Sequence, residues 1–218
     1  MILQSHVDRH AILAMEKQFH LYDVVGERSW SVDLEAGTLA FAGEKRRLRR
    51  SEPAIAMGAA LLGTEADGTW MWGWANPGGF PEPVVAAGRA VSDYGREHGL
   101  PPLYEPESPV GEDVSLEHIG VVASGAVGLK ATYTAPANGT RILLALDHPL
   151  LELPPPDVPR LVSVLSTLLS SGFVSDWQVA LESYATARDV TFDGRVLHER
   201  IEFEFDELGR ITNLSATA

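Results

Sequence analysis

Trp70, Trp72 and Trp74 alternate along Thr69-Trp70-Met71-Trp72-Gly73-Trp74-Ala75-Asn76 and make up three of the five tryptophans in the chain. Successive side chains of a β-strand point to opposite faces, so this spacing predicts that residues 69–76 lie extended, with three indoles on one side of a sheet. That much aromatic surface on one strand has to be covered. Two readings follow. The rings are core, packed on a neighbouring helix at about 2 to 3 kcal/mol of apolar burial each, or an end ring, Trp70 or Trp74, walls a pocket or an interface. The opposite face (Thr69, Met71, Gly73, Ala75) is small, and Gly73 either admits a second backbone or a ligand or marks a bulge.

The flanks of this strand predict a meander. Asp67-Gly68 is a hairpin turn signal, and residues 54–64 before it are continuously apolar. Further upstream, Trp30 and Val32 alternate with polar neighbours, Glu35-Ala36-Gly37 turns, and Leu39 and Phe41 return. The first residues read as a helix through Ile12, Met15, Phe19 and Tyr22. Asn76-Pro77-Gly78-Gly79 breaks the tryptophan strand, and a helix over 83–98 follows, with Val84, Gly88, Val91 and Gly95 on one stripe and Gly99 as its stop. The proline-rich stretch 99–113 reads as a loop or linker. Ser115 caps a helix running to about Gly128. Strands on either side of Asn138-Gly139 form a hairpin. After the prolines of 149–159, Asp157 caps a helix carrying Leu161, Leu165 and Leu168, which Gly172 ends. Ser175 and Gln178 have capping-box spacing for a helix with Trp177, Leu181 and Tyr184 on its inner stripe. Ile201, Phe203 and Phe205 alternate with acids, and residues 210–214 pair back. Segregated helices and hairpins predict an α+β fold, an antiparallel sheet of hairpins packed by several helices, as one domain over 1–218 with two subdomains (1–98 and 114–218) joined by 99–113.

Charge narrows the choice of partner. Net charge is −13, from 17 basic and 30 acidic side chains. Residues 1–78 hold 8 basic and 10 acidic groups, net −2, and the remainder 9 and 20, net −11. Such a chain repels nucleic acid and anionic membrane and favours a basic protein partner or a small molecule. No cysteine is present, which removes disulfides, thiolate metal sites and cysteine nucleophiles and fits a cytoplasmic protein. No apolar run approaches the roughly 20 residues that span a bilayer, and the N-terminus lacks the pattern of a signal peptide.

Motifs that could carry chemistry are sparse. His6 and His10 share a helix face at a zinc-chelating spacing, but no third or fourth ligand accompanies them, so they read as two exposed histidines. Glu44-Lys45-Arg46-Arg47-Leu48-Arg49-Arg50 is the basic cluster and could meet phosphate or a carboxylate. Glu202, Glu204 and Asp206 read as the solvated face of a half-buried strand. Asp147-His148 stands at a strand end like a catalytic pair, yet no G-x-S-x-G elbow goes with it. The residues nominated for ligand contact are Trp70, Trp74, Asn76, Arg49 and Asp147, with no metal and no cofactor expected.

Leu62-Gly63-Thr64 followed by Thr69-Trp70-Met71-Trp72-Gly73-Trp74-Ala75-Asn76-Pro77 resembles the signature of an uncharacterised actinobacterial family, a domain of unknown function. In proteins of that kind an upstream hairpin (here Ser31-Val32-Asp33 and Leu39-Ala40-Phe41) precedes the tryptophan strand, and a segment like Phe205-Asp206-Glu207-Leu208-Gly209-Arg210-Ile211 closes the chain. The resemblance brings no activity, cofactor or catalytic residue; it implies that the strand matters to the fold. The leading expectation is a non-enzymatic protein- or ligand-binding module, for instance an immunity-type protein that neutralises a basic partner. The rival is a small-molecule enzyme or ligand binder with a cleft walled by Trp70 or Trp74.

Overall fold

The computed structural model describes residues 2–43, 53–137 and 139–217. The chain divides into two compact units, one of residues 1–19 with 153–218 and one of residues 20–152. Helix α1 (Ile2–Val25) contributes to both. Its buried apolar positions are Leu3, Val7, Ala11, Ile12, Ala14, Leu21 and Val25, whereas Met15 and Phe19 are half-buried and Tyr22 is exposed. Of the expected stripe Ile12 is buried but Met15, Phe19 and Tyr22 are not: the covered face runs instead through Ala11 and Ala14, small residues that periodicity by large ones overlooks, beside Leu3, Val7, Leu21 and Val25.

The unit of residues 20–152 is built on a seven-stranded antiparallel sheet. Strands β1 (Trp30–Asp33) and β2 (Thr38–Phe41) form the expected hairpin. Its turn is pinned by Asp33 Oδ1, which accepts from Ala36 N at 2.9 Å. The long strand β3 (Ile55–Ala66) turns at Asp67-Gly68, both at positive φ (49° and 72°), into β4 (Thr69–Trp72). That double left-handed geometry is what an Asp-Gly hairpin supplies. Helix α2 (Glu82–His98) buries Val84, Gly88, Val91 and Gly95, the stripe read from the sequence, and stops at Gly99. Residues 99–113, expected to be loop, instead hold the short helix α3 (Pro101–Tyr104) and strand β5 (Glu107–Pro109), which pairs with β4. Helix α4 (Leu116–Ala126) has Ser115 and His118 in a reciprocal capping box. Strands β6 (Ala131–Ala137) and β7 (Thr140–Asp147) close the unit, β7 pairing with both β6 and β3. Asn138 lies outside the described residues.

The registers explain the shape of this sheet. β2 and β4 share one edge of β3, β2 opposite residues 55–58 and β4 opposite 63–66, while β7 takes the other edge from Gly58 to Glu65. The register against β7 slips between Leu61 and Gly63, so two β3 residues oppose one of β7 and facing inverts. Before the bulge Met57, Ala59 and Leu61 join Leu39, Phe41, Leu144 and Leu146 in one core with Leu21 and Val25. After it Gly63 and Glu65 face as Trp72 and Trp70 do. Where β2 has left the shared edge and β4 has not begun, other backbone comes in close. A Cβ placed on Gly73 would lie 2.7 Å from Leu61 O, and one on Gly88 3.4 Å from Leu62 O.

The second unit pairs helices with a small sheet. Helix α5 (Val158–Ser171) is capped by Asp157, buries Leu161, Leu165 and Leu168, and ends at Gly172. Helix α6 (Trp177–Arg188) buries Trp177, Leu181 and Tyr184. Its N-cap is Asp176, which accepts from Val179 N at 3.0 Å, and not Ser175, whose Oγ donates instead to Asp8 Oδ2 at 2.7 Å. Strands β8 (Val196–Leu197), β9 (Ile201–Phe205) and β10 (Ile211–Ala216) form a three-stranded antiparallel sheet. Ile201 and Phe203 are buried while Glu202 and Glu204 face solvent, the alternation expected of a half-covered strand.

Candidate functional site

The tryptophan row is shorter than the sequence suggests, and it is largely core. β4 ends at Trp72, and residues 73–75 form a 3-10 turn. Gly73 is pressed against Leu61, so the chain bends out of the sheet there. The rings nevertheless remain neighbours. Trp70 and Trp72 meet edge to face at 5.2 Å, and Trp72 and Trp74 stack at 6.5 Å with 16° between planes. Trp72 Nε1 donates to Pro102 O at 3.0 Å, and Trp72 N to Pro106 O at 3.1 Å, so the prolines of 99–113 are hydrogen-bond partners of this strand. Gly88 of α2 seats the stacked pair: its Cβ position lies 3.4 Å from Trp74 Cδ1 and 3.5 Å from Trp72 Cε3. Trp70 and Trp72 have 0% exposure, and Trp74 is half-buried. Trp70 thus offers solvent no wall.

The other nominated residues do not gather around these rings. Asn76 spends its side chain on its own turn, Oδ1 accepting from Gly78 N at 2.8 Å. Arg49 and the basic cluster 44–50 lie outside the described residues. Asp147 pairs opposite Gly58, and Trp70 opposite Glu65. Seven residues of strand separate those positions, roughly 20 Å at the rise of a β-strand. His148 is not poised beside Asp147 as a base; its Nδ1 accepts from Leu150 N at 3.1 Å and caps a short turn.

Asp147 belongs to a different feature. A groove of about 460 Å³ opens where β2 parts from the edge of β3, lined by Glu35, Ala36, Gly37, Gly58, Ala59, Ala60, Pro81, Pro83, Val84 and Asp147. Its walls are aliphatic and backbone, and its two ionisable liners, Glu35 and Asp147, are both acidic and exposed. The start of α2 forms one side. A helix N-terminus attracts anions through exposed N–H groups, but Pro81 and Pro83 have none, and Val84 N donates to Pro81 O at 2.9 Å. The carboxylates therefore decide the sign of the groove. Beside it, Lys130 Nζ bridges Asp147 Oδ1 at 2.9 Å and Glu152 Oε1 at 2.8 Å. These bonds, to Asp147 first and Glu152 second, hold its ammonium above the ordinary lysine range. One cation is thus shared by two carboxylates, Asp147 and Glu152, while Glu35 lines the groove. The sequence pointed only to Asp147. Gly58, one of two glycines inside the apolar strand β3, was the local sign of a close approach.

The other unit, by contrast, holds buried charge. Glu16, 3% exposed at its side chain, accepts from the Tyr184 hydroxyl at 3.1 Å and lies 3.1 Å from Arg188 Nε. Burial raises the Glu16 carboxyl above its usual range, and Arg188 and Tyr184 oppose that rise. Asp8 accepts from Gln4 Nε2, Ser175 N, Ser175 Oγ and Asp176 N, at 2.7 to 3.2 Å. Both clusters tie α1 to α6. His6 is buried and His10 half-buried, so neither is the exposed histidine expected from the sequence. Among the described residues no group of three or more His, Asp or Glu is placed to hold a metal ion, and no helix is long and apolar enough to cross a membrane.

These features define an α+β protein on a curled antiparallel sheet, with a tryptophan-filled core and an open acidic groove. Over residues 4–149 the chain matches DUF6882, a family of unknown function, and it belongs to that family. No curated protein and no solved structure matches it. The matched span contains the tryptophan row and every groove residue. It stops short of Phe205-Asp206-Glu207-Leu208-Gly209-Arg210-Ile211, so the family match does not extend to that closing segment.

Proposed function

We propose that the chain is a non-enzymatic binding module that receives a basic side chain of a partner protein in the groove at the β2–β3 divergence. One observation carries this reading: an aliphatic-walled groove of about 460 Å³ has Glu35 and Asp147 as its ionisable lining groups. An arginine or lysine matches that chemistry, with a methylene stem against Ala59, Pro83 and Val84 and a cation against the carboxylates. The net charge of −13 would draw such a partner in. An immunity-type protein that neutralises a basic partner is one form of this reading. The cleft walled by Trp70 has less support, because that ring is sealed in the core.

The test is a two-dimensional NMR titration of the full chain with Nα-acetyl-arginine amide, using the neutral isostere Nα-acetyl-citrulline amide as the control. The arginine probe should shift the amides of Gly37, Gly58 and Asp147 with a Kd of about 1 mM, a weak contact of about −4 kcal/mol. Glu35→Gln should weaken it several-fold, and the citrulline probe should leave those amides in place. Equal shifts from both probes, or indifference to Glu35→Gln, would refute the reading.

A further inference from the structure

We infer that Lys130 is a resident competitor for this groove, and that the ligand's cation must displace it from Asp147; the inference rests on the binding role proposed above. The geometry is specific. Lys130 Nζ is shared between Asp147, which lines the groove, and Glu152, which does not line it. Its side chain is about one-third exposed and those of its partners are more than two-thirds exposed, so the ammonium moves without unpacking any core. A lysine carries a compact charge on a flexible four-carbon stem. It can therefore shift wholly onto Glu152 and remain paired while Asp147 turns to the incoming cation. Glu152 is the parking place that makes the exchange inexpensive. Because the two carboxylates hold the ammonium protonated, the exchange is driven by a rival cation or by salt screening, and not by deprotonation near neutral pH. The arrangement also filters ligands. A weak or singly contacting cation does not outcompete an internal one, whereas a guanidinium, which presents several donors in a fixed fork, does.

The experiment repeats the Nα-acetyl-arginine amide titration on full-length Lys130→Met, Lys130→Arg and Glu35→Gln chains at low salt. Removing the resident cation should tighten the probe about three- to tenfold, the range for a partly exposed charge competing at two carboxylates. Lys130→Arg, which keeps a resident cation and gives it the forked donor set, should bind the probe no more tightly than the unaltered chain does. In the unaltered chain the Lys130 Cε and Nζ signals should move with the same Kd as Gly58. An unchanged or weaker Kd in Lys130→Met, with Glu35→Gln still weakening the probe, would overturn the competitor and leave the groove reading standing. No response in any variant, Glu35→Gln included, would overturn both.

Discussion

Gly63 is where the fold has least room, and Gly63→Ala measures how firmly the tryptophan row is set. A methyl group at Gly63 would sit 2.7 Å from Trp70 Cη2, and closer still to Trp70 Cζ2 and the Met71 carbonyl oxygen. Carbon atoms pack at about 3.5 to 4.0 Å, so the ring would have to retreat by roughly 1 Å. It has nowhere to go: Trp70 has no exposed surface and stands edge to face on Trp72 at 5.2 Å. Overpacking of this kind costs about 1 to 3 kcal/mol, and the upper end applies because backbone is struck as well. For a unit of this size that corresponds to a fall in Tm of roughly 8 to 10 °C. The assay is urea and thermal unfolding followed by indole fluorescence in a Trp177→Phe background, where the remaining tryptophans, Trp30, Trp70, Trp72 and Trp74, all report on residues 20–152. The Trp70→Leu background separates the two clashes. There Gly63→Ala should cost at least about 1 kcal/mol less, the remainder belonging to the Met71 carbonyl. A Gly63→Ala chain within about 0.5 kcal/mol of its parent, or strict additivity with Trp70→Leu, would refute the packing argument.

Two further predictions concern the other unit. Burial, and then the nearby charges of His6, Arg9 and Lys17, lower the His10 pKa from 6.5 to about 4. As the pH falls below 6.5 the unfolded chain takes up a proton that the folded chain refuses until about 4, so stability drops across that window, by at most about 3 kcal/mol. His10→Gln should flatten that part of the stability profile, and an imidazole titrating near 6.5 by NMR would contradict the shift. Asp8→Ala should destabilise this unit by about 2 to 4 kcal/mol, since it strands the Ser175 and Asp176 N–H groups at the start of α6. Asp8→Asn should recover part of the loss, as read from Trp177 fluorescence in urea; a silent Asp8→Ala would show that these donors find other acceptors.

What was legible followed from local pattern. Trp70 and Trp72 on one face, the Asp67-Gly68 turn, the stripe of α2 and the caps at Ser115 and Asp157 depend on spacing within a few residues, and the fold has them where the sequence put them. Errors arose where a distant segment decided. The strand ends at Trp72 and not at Asn76 because Leu61, eleven residues back on β3, leaves Gly73 no space within the sheet. Residues 99–113 read as linker because proline is scarce in strands, yet Pro109 sits at the last position of an edge strand, where a missing N–H costs nothing. Ser175 lost its capping role to Asp176 because Asp8, 167 residues away, claims its hydroxyl.

The groove belongs with these long-range features. Its lining comes from the β1–β2 turn, β3, the start of α2 and the end of β7, and none of these four segments supplies more than three of its residues. Charge counting found a bias without a place for it. Residues 79–152 carry 4 basic and 10 acidic groups, and 153–218 carry 5 and 10, so the excess is spread along the chain and cannot by itself select a site. Spread charge of that kind accelerates encounter and is screened by salt, whereas a carboxylate against a seated cation slows escape. The two contributions are therefore separable in kinetics. If the groove is the site, Glu35→Gln acts mainly on dissociation while added salt acts mainly on association. A Glu35→Gln effect confined to association would reduce Glu35 to one more surface charge, and the groove would lose its claim to function.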